Sequence, residues 1–118
     1  GVDFTVSIEP RSGIRTLNQP AGILIADAVL LKFPFVCRVW RDGDWFVPFG
    51  MKGRKKVSDF FTDLKYDMFR KASSVMVVDT SDPDRDCNRV AAVLGERIDD
   101  RYKVTDTTSD VLLLRILK

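Results

Sequence analysis

From Val57 onward the apolar residues change their spacing. Val57, Phe60, Phe61 and Leu64 fall at i, i+3, i+4 and i+7, the stripe of an amphipathic helix. This stripe constrains the fold most, because the segments around it read as strands. Phe4-Thr5-Val6-Ser7-Ile8 alternates apolar and polar side chains, as a half-buried strand does, and Pro10 with the Arg11-Ser12-Gly13 turn ends it. Ile23 to Leu31 reads as a strand crossed by a turn near Asp27, and Phe35 to Trp40 as another strand. Arg41-Asp42-Gly43-Asp44 supplies hairpin turn chemistry, with Trp45-Phe46-Val47 as the returning strand. After the Val57 helix, Asp67 caps a second short helix running through about Lys71, and Val75 to Val78 is a buried strand. Val90 to Leu94, a bend at Gly95, and Val111 to Ile116 complete the pattern. Strands on both sides of one helix, without βαβ alternation, predict an α+β fold. The expected architecture is a mostly antiparallel, sandwich-like sheet with the amphipathic helix and the short second helix packed against it.

At 118 residues the chain suits one domain, which buries roughly two thirds of the surface its unfolded form exposes. It opens Gly-Val-Asp-Phe without an initiator methionine and enters a strand almost at once, so it reads as excised from a longer protein. Its longest apolar runs fall far short of a membrane span, and no secretion signal opens it, which predicts a cytoplasmic protein with no membrane partner. Cys37 and Cys87 are too far apart for a CxxC motif and the chain has no histidine, which argues against a structural zinc site. The cysteines read as free thiols acting as small buried hydrophobes.

Catalytic motifs fail one by one. Asp82, Asp84 and Asp86 alternate like the first ligands of a calcium loop, but Cys87 stands where glycine is needed and Val93 where a glutamate is needed. Asp42 with Asp44, and Asp99 with Asp100, read as turn-capping carboxylates rather than acid/base pairs. Serine and cysteine lack a histidine base, and no P-loop or GxGxxG fingerprint occurs. The expected catalytic and metal residues of this chain are therefore none.

Binding is a different matter. The net charge of +2 is too small to imply nucleic-acid binding by itself, but the cations cluster in Cys37 to Lys56, CRVWRDGDWFVPFGMKGRKK. There Arg38, Arg41, Lys52, Arg54, Lys55 and Lys56 are interleaved with Trp40, Trp45, Phe46 and Phe49. Gly50 and Gly53 let the backbone approach a ligand, while the lysines gather at the start of the Val57 helix and suggest an anion site on its end amides. The aromatics read as core and sheet-face residues before stacking platforms.

Two motifs carry a family resemblance. Arg38-x-x-Arg41-x-Gly43-Asp44-x-Phe46-x-Pro48-x-Gly50-x-x-Gly53-x-Lys55-Lys56-Val57 and, downstream, Gly95-Glu96-Arg97-Ile98-Asp99-Asp100-Arg101-Tyr102-Lys103-Val104-Thr105 resemble the C-terminal domain of bacterial tRNA(Ile)-lysidine synthetases. Tyr66-Asp67 stands where that family has a proline, and Ala92-Val93-Leu94 where a tryptophan is common. The resemblance divides the chain into a strand-rich lead-in (1–34) that resembles no named family, a family-like core (35–105) and a closing strand (106–118). It implies a parent enzyme that uses ATP to adenylate the wobble cytidine of an isoleucine tRNA and then attaches lysine. That chemistry belongs to an N-terminal domain with a Ser-Gly-Gly-x-Asp-Ser loop, which this chain lacks. ATP and magnesium are implied for that domain and no cofactor for this one.

The role implied here is to bind and position tRNA on its acceptor-stem side. Arg38, Arg41, Lys52, Arg54, Lys55 and Lys56 are the first expected contacts. Arg70, Arg97, Arg101 and Lys103 follow, with Arg97 and Arg101 equally readable as ion-pair partners of Asp99 or Asp100. The implied partners are isoleucine tRNA and the N-terminal catalytic domain of the same chain, with a homodimer left open. The alternative is a non-catalytic interaction domain whose aromatic face serves interdomain or subunit packing.

Overall fold

A computed structural model describes residues 3–81 and 88–117. The calcium-loop reading of Asp82, Asp84 and Asp86, and Cys87 with it, lie outside the described residues. Among the described residues, nine strands and two α-helices follow one another as β1 (Phe4–Pro10), β2 (Ile23–Asp27), β3 (Val36–Val39), β4 (Trp45–Phe46), β5 (Lys55–Lys56), α1 (Val57–Asp63), α2 (Met68–Ser73), β6 (Val75–Val78), β7 (Ala92–Val93), β8 (Arg97–Ile98) and β9 (Asp110–Ile116). Short 3-10 turns occupy Arg11–Gly13 and Asp100–Tyr102. All strand pairs are antiparallel, as the α+β reading expects. None of the described helices is long and apolar enough to cross a membrane.

The sheets form layers. β9 is the centre of a three-stranded sheet ordered β1-β9-β2, and its run Val111 to Leu114 is buried throughout, with Leu112 and Leu114 entering the core shared with the next sheet. A four-stranded sheet, β3-β6-β7-β8, lies beside it. In β6 and β7 successive side chains leave opposite faces. Val77 and Ala92 enter one core with Leu112 and Leu114, whereas Met76 and Val93 enter a second with Val57, Phe60 and Phe61 of α1. The four-stranded sheet is thus the middle layer, with the three-stranded sheet on one side and α1 on the other. Each fully buried Phe or Leu contributes about 1.5–3 kcal/mol of apolar burial to holding the layers together.

Several expectations need correction. The Asp-Gly turn does not close a hairpin, because β3 pairs with β6 and β4 pairs with β5 instead. The Asp44 carboxylate takes the Arg38 guanidinium and the Arg41 amide, turning the chain out of the sheet plane. Leu64 of the apolar stripe is exposed, since α1 ends at Asp63 and Leu64 is its C-cap. The end of α1 is not a free anion site, because the Val57 amide donates to the Asp44 carbonyl at 2.9 Å and the helix has only seven residues. Cys37 is exposed rather than buried, because β3 is an edge strand. The second short helix forms as expected, with the Asp67 carboxylate accepting from the Arg70 amide at 2.8 Å. It meets the body through the Arg70 guanidinium on the Tyr66 ring and buries none of its own residues.

Candidate nucleic-acid interface

Two buried aspartates build the basic loop. Asp44 accepts from both terminal nitrogens of Arg38 at 2.8 Å and from the Arg41 amide at 2.9 Å, while its carbonyl receives the first amide of α1. One residue, through its side chain and its carbonyl, thereby ties together β3, the turn after it and the helix start. Arg38 accordingly lies inward, its side chain 11% exposed, whereas Arg41 stands in solvent.

Asp99 does the same for the second motif. Its buried carboxylate accepts from Arg89 Nε at 3.2 Å and Nη2 at 3.3 Å, and from the Val47 and Arg101 amides at 3.2 and 3.0 Å. Arg101 Nε adds an ion pair at 3.8 Å. Around it the backbone interlocks: Asp100 N donates to Val47 O at 2.8 Å, Phe49 N to Ile98 O at 3.0 Å, and Gly50 N to the Asp100 carboxylate at 3.2 Å. The two motifs, some 50 residues apart in the chain, form one structural unit because the carboxylates of one satisfy the amides of the other.

Upon this base the loop from Met51 to Lys56 stands out beside Trp45. A groove of about 570 Å³ is lined by Gly43, Trp45, Met51, Gly53, Arg54, Lys55 and Lys56, with Asp59 as its one acidic lining residue. The Arg54 guanidinium sits 4.1 Å from the Trp45 ring centre and that of Arg89 sits 4.9 Å from it. The cation-π contact fixes the Arg54 guanidinium while leaving its N–H edges for a ligand, whereas Arg89 is also held by Asp99. Lys52, Arg54 and Lys56 are exposed, whereas Lys55 is half-buried and pairs with Asp63 at the end of α1. The groove wall can therefore meet phosphate oxygens with cations and apolar or ribose surfaces with Met51 and Trp45.

The other expected residues lie elsewhere. Arg70 lines a hollow of about 320 Å³ with Tyr66, Ser74 and Glu96. Arg97, exposed and 5.9 Å from the Phe60 ring centre, borders a third hollow of about 200 Å³ beside Phe49. Lys103 is exposed and pairs with Asp100 at 3.4 Å. Of the aromatics, Phe46 is fully buried and Trp40 packs edge-on against Phe61, as expected of core residues, while Trp45 is only half-buried and Phe49 is exposed. Arg89 was invisible to motif reading. It reaches Trp45 through a parallel bridge that brings residues 44 positions apart side by side, and no local pattern marks it.

In the Tyr66 hollow the phenol donates to Glu96. Burial, then the hydrogen bond and the negative charge of Glu96, push the Tyr66 hydroxyl up to about 12, while Arg70 pulls it back.

No protein-family model matches the chain. Whole-sequence similarity is nonetheless clear. The chain is 39% identical over 101 residues to a tRNA(Ile)-lysidine synthase of Parabacteroides distasonis, covering 86% of the chain and 22% of the relative. It is 37% identical over 92 residues to the tRNA(Ile)-lysidine synthase of Bacteroides thetaiotaomicron, covering 77% and 20%. The Caldanaerobacter subterraneus synthase aligns over 98% of the chain at 29% identity and so takes in the first third as well. The chain spans about a fifth of the length of these curated relatives. A crystal structure of a TILS C-terminal domain superposes with a TM-score of 0.77 at 18% identity, covering 98% of this chain and 83% of that one.

Proposed function

Because the chain belongs with the C-terminal domains of the tRNA(Ile)-lysidine synthases, we propose that it grips tRNA for a ligase acting elsewhere in a longer polypeptide. The parent enzyme, in this reading, spends ATP to attach lysine to the wobble cytidine of isoleucine tRNA in the cytoplasm. ATP and magnesium belong to its N-terminal domain, since the 118 residues hold no Ser-Gly-Gly-x-Asp-Ser loop. This domain binds the acceptor-stem side and positions the anticodon for that domain.

One observation carries the proposal: Arg54, Lys55 and Lys56 share one groove against Trp45, with Arg89 on the same ring. Double-helical RNA offers phosphates and 2′-hydroxyls, which such a wall meets without reading bases. Arg38 contributes through Asp44, by holding the turn in shape. Binding of isoleucine tRNA to the chain, followed by fluorescence anisotropy across a salt series, tests it. Log affinity should fall linearly with log salt, and Arg54→Ala with Lys56→Ala should flatten the slope by roughly 0.9 per lost phosphate contact. Undetectable binding, or a slope unmoved by both changes, refutes it.

A second reading rests on α2, where Met68 and Phe69 are 84% and 86% exposed. Side chains so apolar and so bare suit a face that docks the rest of the enzyme. Met68→Ser with Phe69→Ser would then weaken interdomain packing in the longer protein while leaving the tRNA salt slope of the chain unchanged.

A further inference from the structure

The groove beside Trp45 carries one residue of the opposite sign. Asp59, in the first turn of α1, lines it together with Arg54, Lys55 and Lys56. A carboxylate there weakens the attraction for phosphate that the cations supply, so a surface that only held a phosphate chain would gain nothing from it. An acid near a helix start is favourable in its own right. That benefit belongs to the first turn as a whole, and it leaves unexplained what the carboxylate meets on its solvent side.

Asp59 does not serve to hold a cation of the groove. Lys55 pairs instead with Asp63, one turn further along α1, and the Arg54 guanidinium lies on the Trp45 ring. Lys56 is exposed. Among the described residues the Asp59 carboxylate takes part in no hydrogen bond or ion pair, and it stands exposed as an acceptor without a donor.

An ionised carboxylate only accepts, so its ligand must donate. On the sugar-phosphate backbone of RNA the phosphate and ring oxygens are acceptors, and the 2′-hydroxyl is the donor. It is also the group by which a protein tells RNA from DNA at a given contact. Phosphates seated on Arg54 and Lys56 set the intervening riboses against the rest of the same groove, where Asp59 lies.

Taking the groove as an RNA contact, we infer that Asp59 accepts a hydrogen bond from a ribose 2′-hydroxyl and so makes the groove select RNA over a backbone lacking that donor. With the hydroxyl present, a charge-assisted bond offsets the repulsion between carboxylate and phosphate. Without it only the repulsion remains, and discrimination comes from the penalty as much as from the bond.

Anisotropy titrations of the chain with an RNA hairpin stem and with a 2′-fluoro copy of the same sequence, both in EDTA, test this role. The fluoro copy keeps the A-form helix and every phosphate but has no hydroxyl to donate. Wild type should bind the RNA roughly tenfold more tightly than the fluoro copy, the low end for a hydrogen bond to a charged group. Asp59→Ala should bind the fluoro copy more tightly than wild type does, and should reduce the ratio to about two or less. Asp59→Asn keeps an acceptor oxygen and loses the charge, so it should retain part of the preference. A wild-type ratio of about one, a ratio that Asp59→Ala leaves unchanged, or equal weakening of both probes in that variant overturns the inference while leaving the groove an RNA contact. A preference that appears only with magnesium would mean a cation bridging Asp59 to phosphate, and overturns it too. So does a preference that follows G·C content rather than the hydroxyl, which would assign Asp59 to a base amino group. Failure of the wild-type chain to bind either probe removes the reading of the groove itself, and the role of Asp59 with it.

Discussion

Arg38 holds both carboxylate oxygens of Asp44 at 2.8 Å in a pocket where the aspartate side chain has no solvent exposure. Removing the arginine leaves a buried charge unpaired, and breaking such a pair costs about 3–5 kcal/mol. Arg38→Ala should lower the stability of the chain by that order in urea denaturation, with Arg38→Lys intermediate because an ammonium cannot span both oxygens. Among molecules that remain folded, the salt slope for tRNA should be unchanged. A near-neutral Arg38→Ala in denaturation would refute this structural role.

Asp99 carries more bonds than Asp44, and its loss should be felt further away. Asp99→Ala removes the acceptor for the Val47 amide and for Arg89, whose guanidinium rests near Trp45. A destabilisation of about 3 kcal/mol or more is expected. Tryptophan fluorescence should change in the folded state as Arg89 leaves the Trp45 ring, and Asp99→Asn should retain part of both effects.

How much of this was legible beforehand depends on whether a signal was local. The alternation of Phe4 to Ile8, the Val57-Phe60-Phe61 stripe and the Asp67 cap are written within a few residues, and each element formed where its pattern lies. The Arg41 to Asp44 turn misled, because turn propensity does not reveal that the Asp44 side chain will be drawn inward by Arg38. Composition could not separate Arg38, buried on a carboxylate, from Arg41, standing in solvent three residues later. Arg89 joined the site through a bridge whose partner lies beyond α1, α2 and β6. The resemblance to a known family succeeded where local rules did not, since it paired two motifs that the fold does interlock.

Gly95 turns the corner between β7 and β8 at φ +83°, and a Cβ there would meet Ile116 Cδ1 at 2.4 Å. Gly95→Ala should cost about 1–3 kcal/mol, from the left-handed backbone and the displaced isoleucine together. Gly13→Ala is the control. Its Cβ would meet nothing within 4 Å and its φ is not in the left-handed region, so it should be neutral or slightly stabilising. Equal effects of the two substitutions would refute the steric account.

Tyr66 makes stability depend on alkaline pH. Its hydroxyl is raised from an ordinary 10.0 to about 12 by burial and by Glu96. A folded value above the unfolded one means that the contribution is fully present below pH 10 and is lost as pH rises from 10 toward about 12. Denaturation curves should show the wild-type chain more stable than Tyr66→Phe at pH 8, with the gap closing over that alkaline window. A gap constant with pH would show that the phenol does not titrate as described.

Lys55 and Lys56 are neighbours whose side chains are not equivalent. Lys55 is half-buried and paired with Asp63, while Lys56 is exposed where β5 gives way to α1. A cation already neutralised by a carboxylate releases few counterions from RNA, whereas a free one releases nearly its full share. Lys56→Ala should therefore reduce the salt slope of tRNA binding by roughly 0.9, and Lys55→Ala by clearly less. Asp63→Asn frees Lys55 and should steepen the slope, strengthening binding at low salt. Equal slopes for the two lysine variants, with Asp63→Asn unchanged, would show that the ion pair does not set which lysine meets the phosphates.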